Sequence, residues 1–232
     1  MFESRRKANA KRKNAMIVVL ISGFLGVLIV FLSMAVHSSF LVIVAFALFV
    51  VSGVGAVSGS GTWGIGAKGE ETVERHLERL GGSYRVIHDV VLPNMRGNID
   101  HVVLGANGVF AIETKNHNGF ITCSGDSWEQ RKVGRGGTPY YGRIGCPSKQ
   151  VKMYAVLLRD FVRDRLGMNL YVNCAVVFTN RSAVLRIDNP TVAVLRPENL
   201  CQFIRTHHPK VSFSDEELGE LERIIEVYSR FH

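Results

Sequence analysis

From Asn14 to Ala67 the chain contains no Asp, Glu, Lys or Arg. Two apolar runs, Ala15 to Val36 and Phe40 to Val57, lie inside that gap and are separated by His37-Ser38-Ser39. At about 1.5 Å per helical residue, each run is long enough to cross a hydrocarbon core about 30 Å thick. They read as a transmembrane helical hairpin whose two ends emerge on the same side. A cleaved leader is the rival reading for the first run, but an apolar leader core is only about 7–15 residues long. Arg5, Arg6, Lys7, Lys11, Arg12 and Lys13 stand directly before the first run, and basic clusters of this kind remain cytoplasmic. The expected layout is a basic tail over 1–14, the hairpin over 15–57 and a Gly-rich linker over 58–66 carrying Trp63. The rest of the chain returns to the cytoplasm, giving an integral protein of the inner or plasma membrane with both termini cytoplasmic.

The net charge of +8 carries less information than its distribution. The six basic residues before Asn14, set against Glu3, account for +5 of it and leave +3 for the remainder. Most of the basic balance is therefore orientation signal, or affinity for anionic lipid. Within the remainder, Arg131 to Arg165 carries nine basic residues against Asp160 and Asp164, while Ser214 to Glu226 carries six acidic residues against Arg223. A local basic surface follows, with a solvated helix face as the plain alternative. Cys123, Cys146, Cys174 and Cys201 show no C-x-x-C or zinc-type spacing. They read as free thiols in a reducing compartment.

Beyond the linker, Ile65 to Leu80 reads as an amphipathic helix with Val73, Leu77 and Leu80 on one stripe and Gly81-Gly82 as its stop. Glu70 and Glu74, one turn apart, flank that stripe. Strands are expected over Tyr84 to Leu92, Phe120 to Cys123, Trp128 to Val133, Leu170 to Thr179 and Thr191 to Leu195. Pro147 to Leu166 is a helix with Pro at its start, and Pro197 to Thr206 and Ser214 to Arg230 are two more. Ser214 and Glu217 have the spacing of a capping box. Gly134 to Cys146 is expected to be a long polar and aromatic loop. Its Arg135, Arg143 and tyrosines, with Lys149 just beyond it, suit phosphate contacts and base stacking, with a plain surface loop as the alternative.

The central stretch is Asn98 to Lys115, NIDHVVLGANGVFAIETK. Asn107-Gly108 is the strongest short-range hairpin signal in the chain. A two-residue turn there pairs Ala106 with Val109, and so Asp100 with Lys115 and Glu113 with Val102. By the period of two, Asp100, Val102, Glu113 and Lys115 project from one face. Ile99, His101, Val103, Phe110, Ile112 and Thr114 project from the other, where His101 reads as a packed histidine. A three-residue loop would turn Asp100 away from Glu113. Two carboxylates and an ammonium on one face of an aliphatic hairpin break the strand pattern, as functional sites do. A cross-strand ion pair on a solvated face would account for two of the three.

The order helix, three-strand meander, helix, strand, with Asp100 on the second strand and Glu113-Thr114-Lys115 on the third, resembles the nuclease-related domain (NERD) family. That family is itself similar to the restriction-endonuclease-like fold with its D…(D/E)-x-K signature. The resemblance spans Ile65 to about Val194 and includes Gly69-Glu70, Gly97-Asn98-Ile99-Asp100-His101, Gly108-Val109-Phe110 and Gln150. It implies an α/β domain over 67–195, a mixed sheet flanked by helices, with the helices of 196–232 packed on it. It also implies a divalent-metal-dependent nuclease, acting on DNA in preference to other nucleic acid. Asp100, Glu113 and the Thr114 carbonyl would hold Mg²⁺ or Mn²⁺, and Lys115 would orient or deprotonate the attacking water. Glu70 would complete the shell, with Glu74 as the second choice, and Gln150 would fix a water or phosphate. A membrane-anchored module that binds nucleic acid or protein without hydrolysis is the alternative. A scaffold whose Asp100, Glu113 and Lys115 merely pair with one another is a third.

Overall fold

The computed structural model describes residues 66–134, 136–209 and 212–230. The basic tail, the expected transmembrane hairpin, most of the linker and Arg135 lie outside them. No helix among the described residues is long and apolar enough to cross a membrane.

A helix over 66–77, α1, ends in a single 3₁₀ turn, Glu78–Leu80. Strands β1 (Tyr84–Val90), β2 (Ile99–Gly105) and β3 (Gly108–Lys115) form an antiparallel meander. Three more strands follow, β4 (Gly119–Ser124), β5 (Ser127–Val133) and β6 (Pro139–Tyr141). After α2 (Pro147–Leu166) come β7 (Val172–Phe178), β8 (Ala183–Asp188) and β9 (Ala193–Leu195). Two helices close the chain, α3 (Pro197–Arg205) and α4 (Asp215–Arg230). The strands form two mixed sheets, one ordered β1-β2-β3-β7-β9 and the other β6-β5-β4-β8. In the first, β7 runs parallel to β3 and β9 parallel to β7. In the second, β8 runs parallel to β4.

The five-stranded sheet is covered on both faces, which is why β7 reads as an apolar run rather than an alternation. On one face Val102, Ala111, Val176 and Phe178 pack with Val151, Tyr154 and Leu158 of α2 and with Leu221 and Ile225 of α4. On the other, Val103, Phe110, Ile112 and Val177 pack with Val73 and Leu77 of α1 and with Leu200 and Ile204 of α3. Ile99, at the first position of β2, joins the first cluster rather than the His101 side. The capping box of α4 is present: the Ser214 backbone N–H donates to Glu217 Oε2 at 2.8 Å, and the Glu217 N–H donates to Ser214 Oγ at 3.3 Å.

The hairpin turn lies one residue earlier than the Asn-Gly signal suggests. Gly105 pairs with Gly108 and Val102 with Ala111, so Ala106 and Asn107 are the turn residues. Neither has positive φ, so this is not the primed turn that Asn-Gly favours. Tertiary contacts take these two residues instead. Asn107 Nδ2 donates to the Ile204 carbonyl at the end of α3 at 2.6 Å, and the Phe213 N–H donates to the Ala106 carbonyl at 3.1 Å. The slip changes the partners but not the faces, because each pair moves by an even number of positions. Continued by one residue, the observed register sets Asp100 across from Glu113 rather than Lys115.

The stretch expected to be a long loop contains β6, a short edge strand paired to β5 through Arg131–Tyr141 and Lys132–Tyr140. The second sheet is tied to α2 through Asp126, which accepts from Ser148 Oγ at 2.6 Å and Lys152 Nζ at 2.7 Å. Sequence periodicity gave no strand over β8, whose six residues pair with β4 and expose every second side chain.

Candidate active site

Strand β3 sets the frame. It is hydrogen-bonded on one side to β2 and on the other to β7, with Glu113 in register with Val176 and Lys115 with Phe178. Glu113 is therefore presented from an interior strand onto the α2 face, where it is only 3% exposed. Lys115, two residues on and so on the same face, donates from Nζ to Glu113 Oε1 at 2.5 Å and to Gln150 Oε1 at 3.2 Å. Gln150 comes from the first turn of α2, and Tyr154 one turn later hydrogen-bonds to it. Glu113 Oε2 is buried with no hydrogen-bond partner among the described residues.

Asp100 is locked to the next strand by its carboxylate. Its Oδ2 accepts the Thr114 backbone N–H at 2.6 Å. The rest of the Gly97-Asn98-Ile99-Asp100 motif has physical reasons too. Gly97 sits at φ +135°, and a Cβ there would lie 2.6 Å from the Tyr154 hydroxyl. Asn98 Nδ2 donates to Asp89 Oδ1 at 3.0 Å, and Ile99 is in the core. Glycine is needed for the close approach as well as for the backbone angle.

On α1, Gly69 brings the helix against the end of β3. A Cβ there would meet Thr179 Oγ1 at 2.9 Å and Asn116 Cβ at 3.0 Å. Glu70 follows it and is electrostatically part of the cluster. Burial first, then the charges of Asp89 and Glu113, push its carboxyl above the usual range, against the opposing pull of Lys115. Burial also pushes Asp100 well above that range, followed by the charge of Glu113, with Glu70 adding and the Thr114 N–H opposing. Glu113 is raised by burial and held down by Lys115. Glu74, the second choice beside Glu70, belongs to a different network. Its Oε1 lies 3.9 Å from His88 Nε2. His88 Nδ1 meets His101 Nδ1 at 2.7 Å, and His101 Nε2 meets Thr114 Oγ1 at 3.2 Å. One ring must donate and the other accept at that first contact. Burial holds both imidazoles below the usual histidine range, so both are neutral at pH 7.

The structure thus brings together Asp100, Glu113, Lys115, Gln150 and Glu70 on one patch. The Thr114 side chain points to the opposite face, leaving only its backbone for that patch. Arg143 and Lys149 are exposed, and no contact among the described residues ties them to the carboxylates. One residue near the cluster is unmarked in the sequence. Asp89 is at φ +53°, a left-handed conformation in which Asn and Asp are enriched, but nothing in its local sequence marks it. Tyr154, one turn after Gln150 on the inner stripe of α2, is core, yet its hydroxyl edge faces Gln150 and Gly97.

The oxygens of Asp100, Glu113 and the Thr114 backbone are donors of the type a hard divalent cation takes. Among the described residues no three His, Cys, Asp or Glu side chains group closely enough to hold a metal by themselves. Mg²⁺ does not require such a cage, since it is held by one or two carboxylates and keeps several waters. The Glu113 Oε2 without a partner among the described residues, and the carboxyls of Asp100, Glu113 and Glu70, each raised first by burial and those of Asp100 and Glu70 further by the charge of Glu113, are what a nearby cation would relieve.

A mixed sheet flanked by helices, with Asp on its second strand and Glu-x-Lys on its third, is compatible with a nuclease-like α/β fold. Residues 65–179 match the family model described as NERD, the nuclease-related domain. The chain is also similar to an uncharacterized protein of Bacillus anthracis, 43% identical over 60 residues, which are 24% of this chain and 28% of that protein. The match thus spans less than a third of that relative's length. No solved structure matches.

The raised carboxyl of Asp100 has a stability consequence. A carboxyl whose pKa is higher folded than unfolded binds its proton more tightly in the folded chain, so stability falls as pH rises through that interval. With divalent metal chelated, Asp100→Asn therefore raises the melting temperature at pH 7.5 by about 2–4 °C, the shift that about 1 kcal/mol brings in a domain of roughly this size. The gain disappears on acidification, where Asp100 is itself protonated. A melting temperature that falls at pH 7.5, or a gain that persists in acid, would contradict the reading.

Proposed function

We propose that this protein is a membrane-anchored, divalent-metal-dependent nuclease that hydrolyses phosphodiester bonds, DNA first among its substrates, at the cytoplasmic face. The observation that carries the catalytic part is the buried, unpartnered Glu113 Oε2 beside Asp100 and Lys115. Asn107 Oδ1 at the hairpin turn is bare as well, but only at Glu113 does the bare oxygen, which costs about 1–3 kcal/mol, stand beside a second carboxylate and an ammonium. Asp100 and Glu113, with the Thr114 carbonyl, would hold Mg²⁺ or Mn²⁺. When bound, such an ion neutralises phosphate charge and acidifies a water.

The chain's own residues would do the rest. Lys115, steadied by Gln150, would orient the attacking water or take its proton, and would offset charge building on the phosphate oxygens. The water oxygen bonds to phosphorus, the P–O ester bond breaks, and the leaving oxygen gains a proton. Glu70 would keep the outer edge of the site negative and receptive to a cation. Tyr154 would hold Gln150 in place from behind.

The anchoring part is supported by the uncharged stretch from Asn14 to Ala67 and the basic cluster before it. After alkaline washing of membranes, the full-length chain is expected to stay in the pellet. Release into the supernatant would refute the anchor.

For the chemistry, the full-length chain in detergent is incubated with supercoiled, linear and single-stranded DNA and with RNA, in Mg²⁺ or Mn²⁺. Cleavage is expected, abolished by chelation and reduced about 100-fold or more in Glu113→Gln and Lys115→Ala. No cleavage on any substrate, or cleavage that survives both substitutions, would leave a binding or scaffolding domain.

A further inference from the structure

The second sheet has an inner face and an outer face, and the outer one is not an ordinary solvated surface. Ile121, Cys123 and Gln130 point inward and are buried. Phe120 of β4 points outward, 48% exposed. By register it stands opposite Arg131 of β5, which stands opposite Tyr141 of β6, and on its other side Phe120 is level with Val184 of β8. One rung across all four strands therefore reads Tyr141, Arg131, Phe120, Val184. Tyr141 is 77% exposed and Val184 53%. The Arg131 guanidinium lies over the Phe120 ring, 5.8 Å from its centre.

Polar side chains would serve an outward rung at no cost, and large exposed apolar residues that line up in a row mark interaction surfaces. With strands about 4.8 Å apart, the two rings stand roughly 10 Å apart with a guanidinium between them. That is a platform for flat, π-faced groups, as in open sheets whose surface aromatics stack unpaired bases.

Charge and continuity identify the occupant. Arg131 and Arg186 project from this face beside the rings, and Arg143 is exposed just after β6. The acids of this face, Glu129 and Asp188, belong to later rungs, level with Thr122 and Ser124 and further from the Gly119 end. The platform is joined to the candidate active site at both ends. Phe120 is five residues beyond Lys115, at most about 17 Å along an extended chain, and β6 runs through 142–146 into the first turn of α2, which carries Gln150.

We propose that this outer face, centred on Phe120, Arg131 and Tyr141, binds a single strand of the DNA that the site cleaves, stacking its bases on the two rings while the guanidinium contacts phosphate or base. The proposal rests on the nuclease reading for its substrate, and its test needs no cleavage. Unpaired bases are required, so the face favours single-stranded over duplex DNA and any base sequence over an abasic strand.

The test uses the full-length chain in detergent with divalent metal chelated, and reads anisotropy of a labelled 20-nucleotide dT strand. Phe120→Ala and Tyr141→Ala are each expected to weaken binding between about fivefold and a hundredfold, the range for losing one stacked base. Phe120→Trp is expected to retain binding, which shows that a ring and not a fold is being tested. An abasic strand of equal length should bind weakly, and equally to all variants. The proposal is overturned if the alanine variants bind dT as the parent does. It is also overturned if they lose the abasic strand in the same proportion, since the loss would then be electrostatic or structural. Binding that is unchanged for dT but lost for phosphatidylserine vesicles would make the face a lipid surface instead. Stacking that survives alongside failed cleavage would count against the catalytic proposal alone.

Discussion

Glu113 cannot turn away from its neighbours. Strand β3 is paired antiparallel to β2 up to Ile112 and parallel to β7 through Lys115, and the Thr114 N–H next to Glu113 is taken by the Asp100 carboxylate, so the backbone here has little freedom to rotate a side chain onto another face. Its carboxylate is therefore forced into the space under α2, where Lys115 reaches one oxygen and no described residue reaches the other. The remaining features of the cluster follow from that constraint. Asp100 is drawn onto β3 by the Thr114 N–H, α1 is brought close by the absence of a side chain at Gly69, and Gln150 is delivered by a helix packed on the same face. The repulsion among Glu113, Asp100 and Glu70 is a property of the backbone arrangement, not of chance rotamers.

The energetics of this arrangement run against stability. Domains of this size are stable by only about 5–15 kcal/mol. One unsatisfied buried acceptor, and carboxyls that resist ionisation, are a measurable share of that. On the opposite face of the same hairpin the polar row is joined by hydrogen bonds, His88 to His101 and His101 to Thr114, with Glu74 3.9 Å from His88. Two neutral histidines there satisfy one another and brace the segment that carries the Thr114 backbone. The contrast between a satisfied face and an unsatisfied one on a single pair of strands separates structural polarity from functional polarity.

Much of this was legible in the order of residues. Period-two alternation places Asp100, Glu113 and Lys115 together and His101 apart, and it does so even though the turn is one residue earlier than Asn107-Gly108 suggests. Parity survives such a slip, whereas pairing partners do not, because tertiary contacts at Ala106 and Asn107 outweigh the local preference of Asn-Gly for a primed turn. Helix α2 is legible at both ends, from Pro147 at its start to Gly167 in the left-handed conformation after it. What could not be read was whatever depends on edges and on distant neighbours. The strands β6 and β8 are short outer strands that alternate only by pairing with β5 and β4. Asp89 enters the cluster through a left-handed backbone that no local pattern marks, and Tyr154 is both core and site because one end of its ring is apolar and the other is not.

Calorimetric titration of the full-length chain with Mn²⁺ tests most directly whether the unsatisfied cluster is a cation site. Saturable binding is expected, lost in both Asp100→Ala and Glu113→Ala, with protons released as the raised carboxyls ionise. No saturable binding, or binding that both variants retain, would mean that Lys115 alone answers the carboxylates and that the cluster is an internal ion-pair network.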